Sequence, residues 1–212
     1  MWSAAEWAVL IIAVFVFLFF VLLRIIKHYF HSPIPSIATR LIDNPIRRRL
    51  IQRPGTVADR MELQSGMTVV EIGPGSGTYT KAVAERILPN GKVFAIDIQE
   101  QVIKRLEERV KRDRVTNVFP RIDNAHDFSF PDKSVDRFFA VASLPEIPNP
   151  VLVLRECNRI LRPNGLVSLC ELMIDPDYPR RSTEKKWAQE AGFKLENEFG
   201  SFFSYQLNFR KT

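Results

Sequence analysis

Thr68-Val-Val-Glu-Ile-Gly-Pro-Gly-Ser-Gly77 changes character halfway along. Thr68–Ile72 is a short apolar stretch suited to a buried strand. Glycines then fall at 73, 75 and 77. Thr78–Leu88 follows with Ala82, Val83, Ile87 and Leu88 on one side, the spacing of an amphipathic helix. Strand, glycine turn and helix together make a place where backbone comes close to a ligand. Glycines let the chain turn tightly, and the free N–H groups of the helix start can donate to an anionic group.

Working outward, Lys92-Val-Phe-Ala-Ile96 is a second strand and ends in Asp97, 24 residues after Gly73. A carboxylate at that strand tip can take both hydroxyls of a ribose. These elements predict a Rossmann-like α/β sheet with helices on both faces. Two features turn the reading away from a dinucleotide. Thr78 stands where a dinucleotide fingerprint needs Gly or Ala. Glu71, inside the first strand, would repel a pyrophosphate but suit a cationic ligand, which favours S-adenosylmethionine over NAD.

The rest of the chain continues the alternation. Arg137–Ala142 is expected to be a central strand, Pro150–Leu161 a helix stopped by Arg162-Pro-Asn-Gly165, and Leu166–Cys170 the next strand. Ser182–Ala191 is expected as a further helix. Lys194–Glu198 and Phe203–Phe209 are expected as closing strands, the second with Phe203, Tyr205, Leu207 and Phe209 alternating with Ser204, Gln206 and Asn208. Cys157 and Cys170 have no C-x-x-C spacing and no paired His, so no metal site is expected and both read as small buried hydrophobes.

The amino-terminal part differs in kind. Trp7–Leu23 is an unbroken apolar run of 17 residues, extended past Arg24 by Ile25 and Ile26. A helix over 7–26 spans roughly 30 Å, one hydrocarbon core. It lacks a polar stripe, a basic start and a small-residue cleavage site, which argues against a surface helix or a cleaved signal. The expected organisation is an extracytoplasmic start (1–6), a single transmembrane helix (7–26), a basic juxtamembrane linker (27–55) and a catalytic domain (56–212). The net charge of +6 is all in residues 24–60, which carry eight Lys or Arg and two acids. Residues 61–212 hold 22 basic and 21 acidic residues. Positive charge after the run places the domain in the cytoplasm. The cations among residues 40–53, Arg40, Arg47, Arg48, Arg49 and Arg53, read either as a basic helix at an anionic leaflet or as a solvated run that fixes topology. The near-neutral bulk argues against nucleic acid as a partner.

Val69–Gly77 resembles motif I of the class I S-adenosylmethionine-dependent methyltransferases, and Ala95-Ile-Asp97 resembles their acidic loop after the second strand. Phe128-Ser-Phe-Pro-Asp-Lys-Ser-Val-Asp136 is similar to the segment before their fourth strand. Asn149–Gly165 is similar to their following helix and turn. The branch it is most similar to holds the ubiquinone/menaquinone and arsenite methyltransferases, over about residues 56–210. The resemblance implies a seven-stranded sheet, S-adenosyl-L-methionine as cofactor and S-adenosyl-L-homocysteine as product. It implies that Gly73, Gly75, Ser76 and Gly77 surround the methionine part and that Glu71 organises its amino end. Asp97 would bind the ribose, Ile98 would lie against the adenine, and Asp123, Asn124 and Ala125 would hold its edge. Asn124 stands where the family has an acid.

Ligands of such sheets sit at the carboxyl ends of the strands, which brings Leu144–Pro148 beside the transferred methyl. Glu146 is a candidate base there, or a surface acid. Tyr178 and Phe202 or Phe203 are candidates to line the acceptor pocket, or core packing. The expected function is methyl transfer to a lipophilic small molecule such as a lipid headgroup, quinone precursor or thiol. A nucleic-acid methyltransferase, a non-enzymatic cofactor-binding membrane protein and a nicotinamide oxidoreductase are the competing readings.

Overall fold

The computed structural model describes residues 51–173, 175 and 177–212, together with residues 3, 6–12, 14, 15, 18, 21 and 22. The chain from 51 onward forms α1 (Pro54–Asp59), β1 (Thr68–Ile72), α2 (Thr78–Arg86), β2 (Lys92–Asp97), α3 (Glu100–Arg112), β3 (Val118–Ile122) and β4 (Val135–Val141). A 3-10 turn (Leu144–Glu146) leads to α4 (Pro150–Ile160), β5 (Leu161–Leu172), α5 (Arg181–Glu190), β6 (Phe193–Gly200) and β7 (Ser204–Lys211). The seven strands form one sheet in the order β3-β2-β1-β4-β5-β7-β6.

The five inner and left-hand strands run parallel, because each is joined to the next by a helix or long crossover. The β6–β7 hairpin reverses direction and closes the right edge antiparallel to β5. Strands covered on both faces need apolar side chains on both, and Val69, Val70 and Ile72 of β1 are all buried. One core lies between the sheet and α4–α5, around Phe138, Leu154 and Leu169. The other lies beneath α1–α3, around Met61, Val83 and Phe139. α3 contributes Val102, Ile103 and Leu106, three positions on one face of an otherwise charged helix.

Arg137 is the exception inside β4. It is buried, yet its guanidinium donates to the backbone oxygens of Met61, Glu62 and Asp136 at 2.9, 3.1 and 2.9 Å. Three carbonyls satisfy the donors, so the charge costs less than an unpaired one would.

The structure differs from the sequence expectations in several places. α2 ends at Arg86, two residues early, and α4 ends at Ile160. β5 begins at Leu161, because Leu161 already pairs with Val135; the Arg162–Gly165 turn is a bulge within the ladder, after which Leu166 pairs with Arg137. The polar residues of β7 do not face water: Gln206 and Asn208 are buried under α1, donating to Val57 O (3.1 Å) and Arg60 O (2.5 Å). Phe203 precedes β7 and is exposed. β3 and α3, which the sequence reading did not delimit, complete the left half of the sheet.

Among the described residues, no helix is long and apolar enough to cross a membrane. Much of the predicted span 7–26, and all of residues 27–50 of the predicted linker, lie outside the described residues. The described positions between 6 and 22 are helical, and Val9, Ile11, Ile12 and Phe15 expose 67%, 64%, 63% and 71% of their surface.

Candidate functional site

The carboxyl ends of β1, β2 and β4 converge at the point where strand order reverses, the crevice position for ligands in open α/β sheets. A cavity of about 400 Å³ opens there, within the range of small-molecule sites. Of the residues predicted from sequence, Gly73, Asp97, Ile98, Asp123, Asn124, Ala125 and Glu146 line it.

Gly73 makes the turn that opens the floor. Its φ is +66°, and a Cβ there would stand 2.5 Å from the Cβ of Ser143. Ser143 in turn donates through Oγ to Ile72 O at 2.8 Å, tying the end of β4 to that of β1. The glycine is therefore required by backbone conformation and by this close approach. Gly75 borders open space on the same turn. Ser76 is held from the side: its carbonyl accepts from Arg109 of α3, and its hydroxyl lies 2.9 Å from that of Thr78.

Asp97 ends β2, and its Oδ1 accepts the Gln99 N–H at 2.8 Å. Burial pushes its carboxyl above the usual Asp range, against the pull of the Gln99 and Ile98 amides and Arg105. The remaining lone pairs suit a pair of hydroxyl donors. Ile72, Ile98, Ala125, Ile147 and Pro148 give the cavity apolar walls for a flat base. Among the described residues lining it there is no Lys or Arg, whereas Asp97, Asp123 and Glu146 are acids. A dinucleotide pyrophosphate would find no cationic partner here, and a sulfonium nucleoside would find acceptors and apolar faces. The residues present thus fit the expected cofactor.

Several of the predicted residues have partners of their own. Asp123 is engaged within its own loop: Oδ2 accepts from Arg121 (2.8 Å) and Ser129 N (3.2 Å), and Oδ1 from Asn124 N (3.0 Å) and Ser129 Oγ (3.1 Å). Asn124 Oδ1 accepts the His126 N–H at 3.0 Å. Both side chains thus brace the loop that lines the cavity. Glu71 does not line the cavity; it is buried behind the turn, where its Oε2 accepts from the Thr80 hydroxyl of α2 at 2.5 Å. Tyr178, Phe202 and Phe203 also stand outside it. The Tyr178 hydroxyl donates to Phe202 O at 2.5 Å, and both Phe rings are exposed. Ser143 and His126 are not among the site residues expected from sequence. His126 Nε2 lies 2.6 Å from Pro148 O, joining the two loops that flank the cavity. Only the position of Ser143, two residues beyond a central strand, could have flagged it.

Burial pushes the Glu71 carboxyl up to about 8, with the Thr80 hydrogen bond pulling the other way. The folded chain holds this proton more tightly than the unfolded chain, whose value is 4.5. The stability it contributes is whole below that value and is lost as pH climbs towards 8. Buried Glu184 shifts in the same direction. Glu71→Gln keeps the shape and the Thr80 contact. It is expected to raise stability by up to ~4 kcal/mol above pH 8 and to flatten the fall of Tm with pH. A melting series from pH 5 to about 9, a range set by these shifts, checks this; an unchanged slope contradicts it.

The family profile described as "Methyltransferase domain" matches residues 63–205. A demethylmenaquinone methyltransferase of Geobacillus stearothermophilus is 32% identical over 124 residues, covering 58% of this chain and 53% of that protein. Its counterpart from Listeria welshimeri is 33% identical over 147 residues, covering 68% and 59%. The chain therefore spans between half and three-fifths of the length of these relatives. A SAM-dependent methyltransferase from Aquifex aeolicus superposes with a TM-score of 0.78 at 21% identity, over 85% of this chain and all of that one, which establishes a shared fold.

Proposed function

The chain belongs to the methyltransferase-domain family, and from that membership we propose that it transfers a methyl group from S-adenosylmethionine to a lipophilic quinone precursor at a membrane. The observation that carries the reading is Asp97 at the tip of β2, facing a cavity with apolar walls and no cationic lining side chain among the described residues. The names of the Geobacillus and Listeria relatives support a quinone-type acceptor. The 17-residue apolar run and the charge confined to residues 24–60 support a tether that holds the domain on the cytoplasmic side. A tether raises the local concentration of an acceptor dissolved in the bilayer.

When bound, the cofactor supplies an electrophilic methyl on a good leaving group. The chain's task is to hold and align, and to exclude water. Asp97 would hold the ribose hydroxyls, with Ile98 and Ala125 against the base. Ser143 and Gly73 fix the floor between β1 and β4. Glu146, on the 3-10 turn after β4, would take the proton that an acceptor hydroxyl loses.

Calorimetry with S-adenosylmethionine, S-adenosylhomocysteine and NAD tests the cofactor, and labelled methyl transfer to extracted lipids tests the acceptor. Binding of NAD but neither adenosyl compound would reject the reading; so would transfer to RNA or DNA in place of lipid. Glu146→Gln is expected to lower kcat by ~10²-fold or more with cofactor affinity unchanged. Equal losses of affinity and rate would make it a structural residue.

A further inference from the structure

Phe202 and Phe203 form the tip of the β6–β7 hairpin and expose 70% and 62% of their surface. Their rings meet edge to face with centroids 5.8 Å apart. Scattered exposed apolar residues need no explanation, but two adjacent Phe on one tip do. The tip backbone is fastened. Ser201 N–H donates to Ser204 O and Met173 N–H to Phe203 O, each at 2.8 Å. The Tyr178 hydroxyl donates to Phe202 O, and Arg181 to Ser201 O, each at 2.5 Å. These bonds hold the backbone while the rings project outward.

This tip sits at the carboxyl edge of the sheet, beside the end of β5, the same edge that carries the cavity. The linker joins the domain there too: Ile51 and Arg53 line a groove together with Gly200 and Ser204 at the root of the tip. Ile51 is 50% exposed. Arg53, which lines that groove, and Arg180 are exposed cations, and Arg180 immediately precedes Arg181, whose guanidinium donates to Ser201 O at the tip. Exposed aromatic rings flanked by Arg match the chemistry of an interfacial membrane contact.

We propose that the Phe202–Phe203 tip, with Ile51, Arg53 and Arg180, docks this edge of the domain on an anionic bilayer leaflet. The contact rests on the membrane part of the reading above and deepens it. It turns the cavity edge towards the lipid, so that a lipophilic acceptor reaches the site without crossing bulk water.

The test uses the full chain in vesicles of phosphatidylcholine and phosphatidylglycerol. Cys157 and Cys170 are fully buried, so an environment-sensitive thiol dye will label only an introduced cysteine. Phe202→Cys carries the probe, and Glu85→Cys, exposed near the end of α2 at the opposite edge, is the control. The expected result is a blue shift and quenching by nitroxide lipids at 202 but not at 85, weaker in pure phosphatidylcholine. A probe on Ser201→Cys, with both Phe intact, should show the same shift and lose it in an F202S/F203S background. Equal signals at 202 and 85 in protein that floats with vesicles would overturn docking while the tether stands. Protein that fails to float would overturn both. A shift that grows with protein concentration without vesicles would assign the tip to a second copy instead. None of these readouts depends on methyl transfer, so the cofactor reading stands or falls separately.

Discussion

Asp97→Ala is expected to weaken S-adenosylmethionine binding by ~10²-fold, about 3 kcal/mol. A carboxylate that accepts two hydroxyl donors inside a partly buried site makes charge-assisted hydrogen bonds, each stronger than a neutral one. The loss should appear in calorimetric Kd with little change in fold. The native interactions forfeited are the bond from Gln99 N–H to Oδ1, at 2.8 Å, and the pull of the Ile98 amide. The pH dependence follows from the direction of the shift. Burial raises the Asp97 carboxyl above its ordinary value. The accepting, ionised form is therefore depleted at a higher pH than for a free Asp. Affinity of the wild type should fall as pH drops through that raised value, and the alanine variant should show a flat profile. Undiminished affinity in Asp97→Ala would remove the central support for the proposed cofactor.

Gly73→Ala should damage both stability and the site. The new Cβ would stand 2.5 Å from Ser143 Cβ and 3.0 Å from its Oγ, on a residue whose φ is +66°. Left-handed backbone strain and overpacking together predict a loss of ~3 kcal/mol. Denaturant melts should show a lower midpoint with an unchanged slope. A second substitution identifies the cause. Ser143→Gly removes the clashing atom and should restore part of the loss, although alone it costs about 1 kcal/mol by deleting the bond to Ile72 O. Additive losses in the double variant would show that strain at 73, not contact with Ser143, sets the requirement.

Where interactions are local in sequence, the chain could be read directly. Thr68–Ile72, the glycine turn and Asp97 at the end of β2 form one contiguous unit, so composition and spacing specify them. The last strand of the closing hairpin was visible as alternation. Which face of that hairpin is dry was not, because Gln206 and Asn208 are covered by α1, more than 140 residues away in sequence. A polar side chain on a strand looks solvent-facing until a distant carbonyl satisfies it.

The amino acid sequence by itself determined the α/β order, the glycine-turn floor, the acid at the second strand tip and the segregation of charge towards the amino terminus. Each follows from periodicity, backbone freedom or charge counted along the chain. Only the tertiary structure decided which predicted groups face the cavity. Loop packing engages Asp123 with Arg121 and Ser129, the strand's side-chain direction buries Glu71 against Thr80, and the β5–β7 closure leaves Phe202 and Phe203 in solvent. Side-chain direction depends on neighbours brought together across the sheet, and those neighbours are not adjacent in the chain.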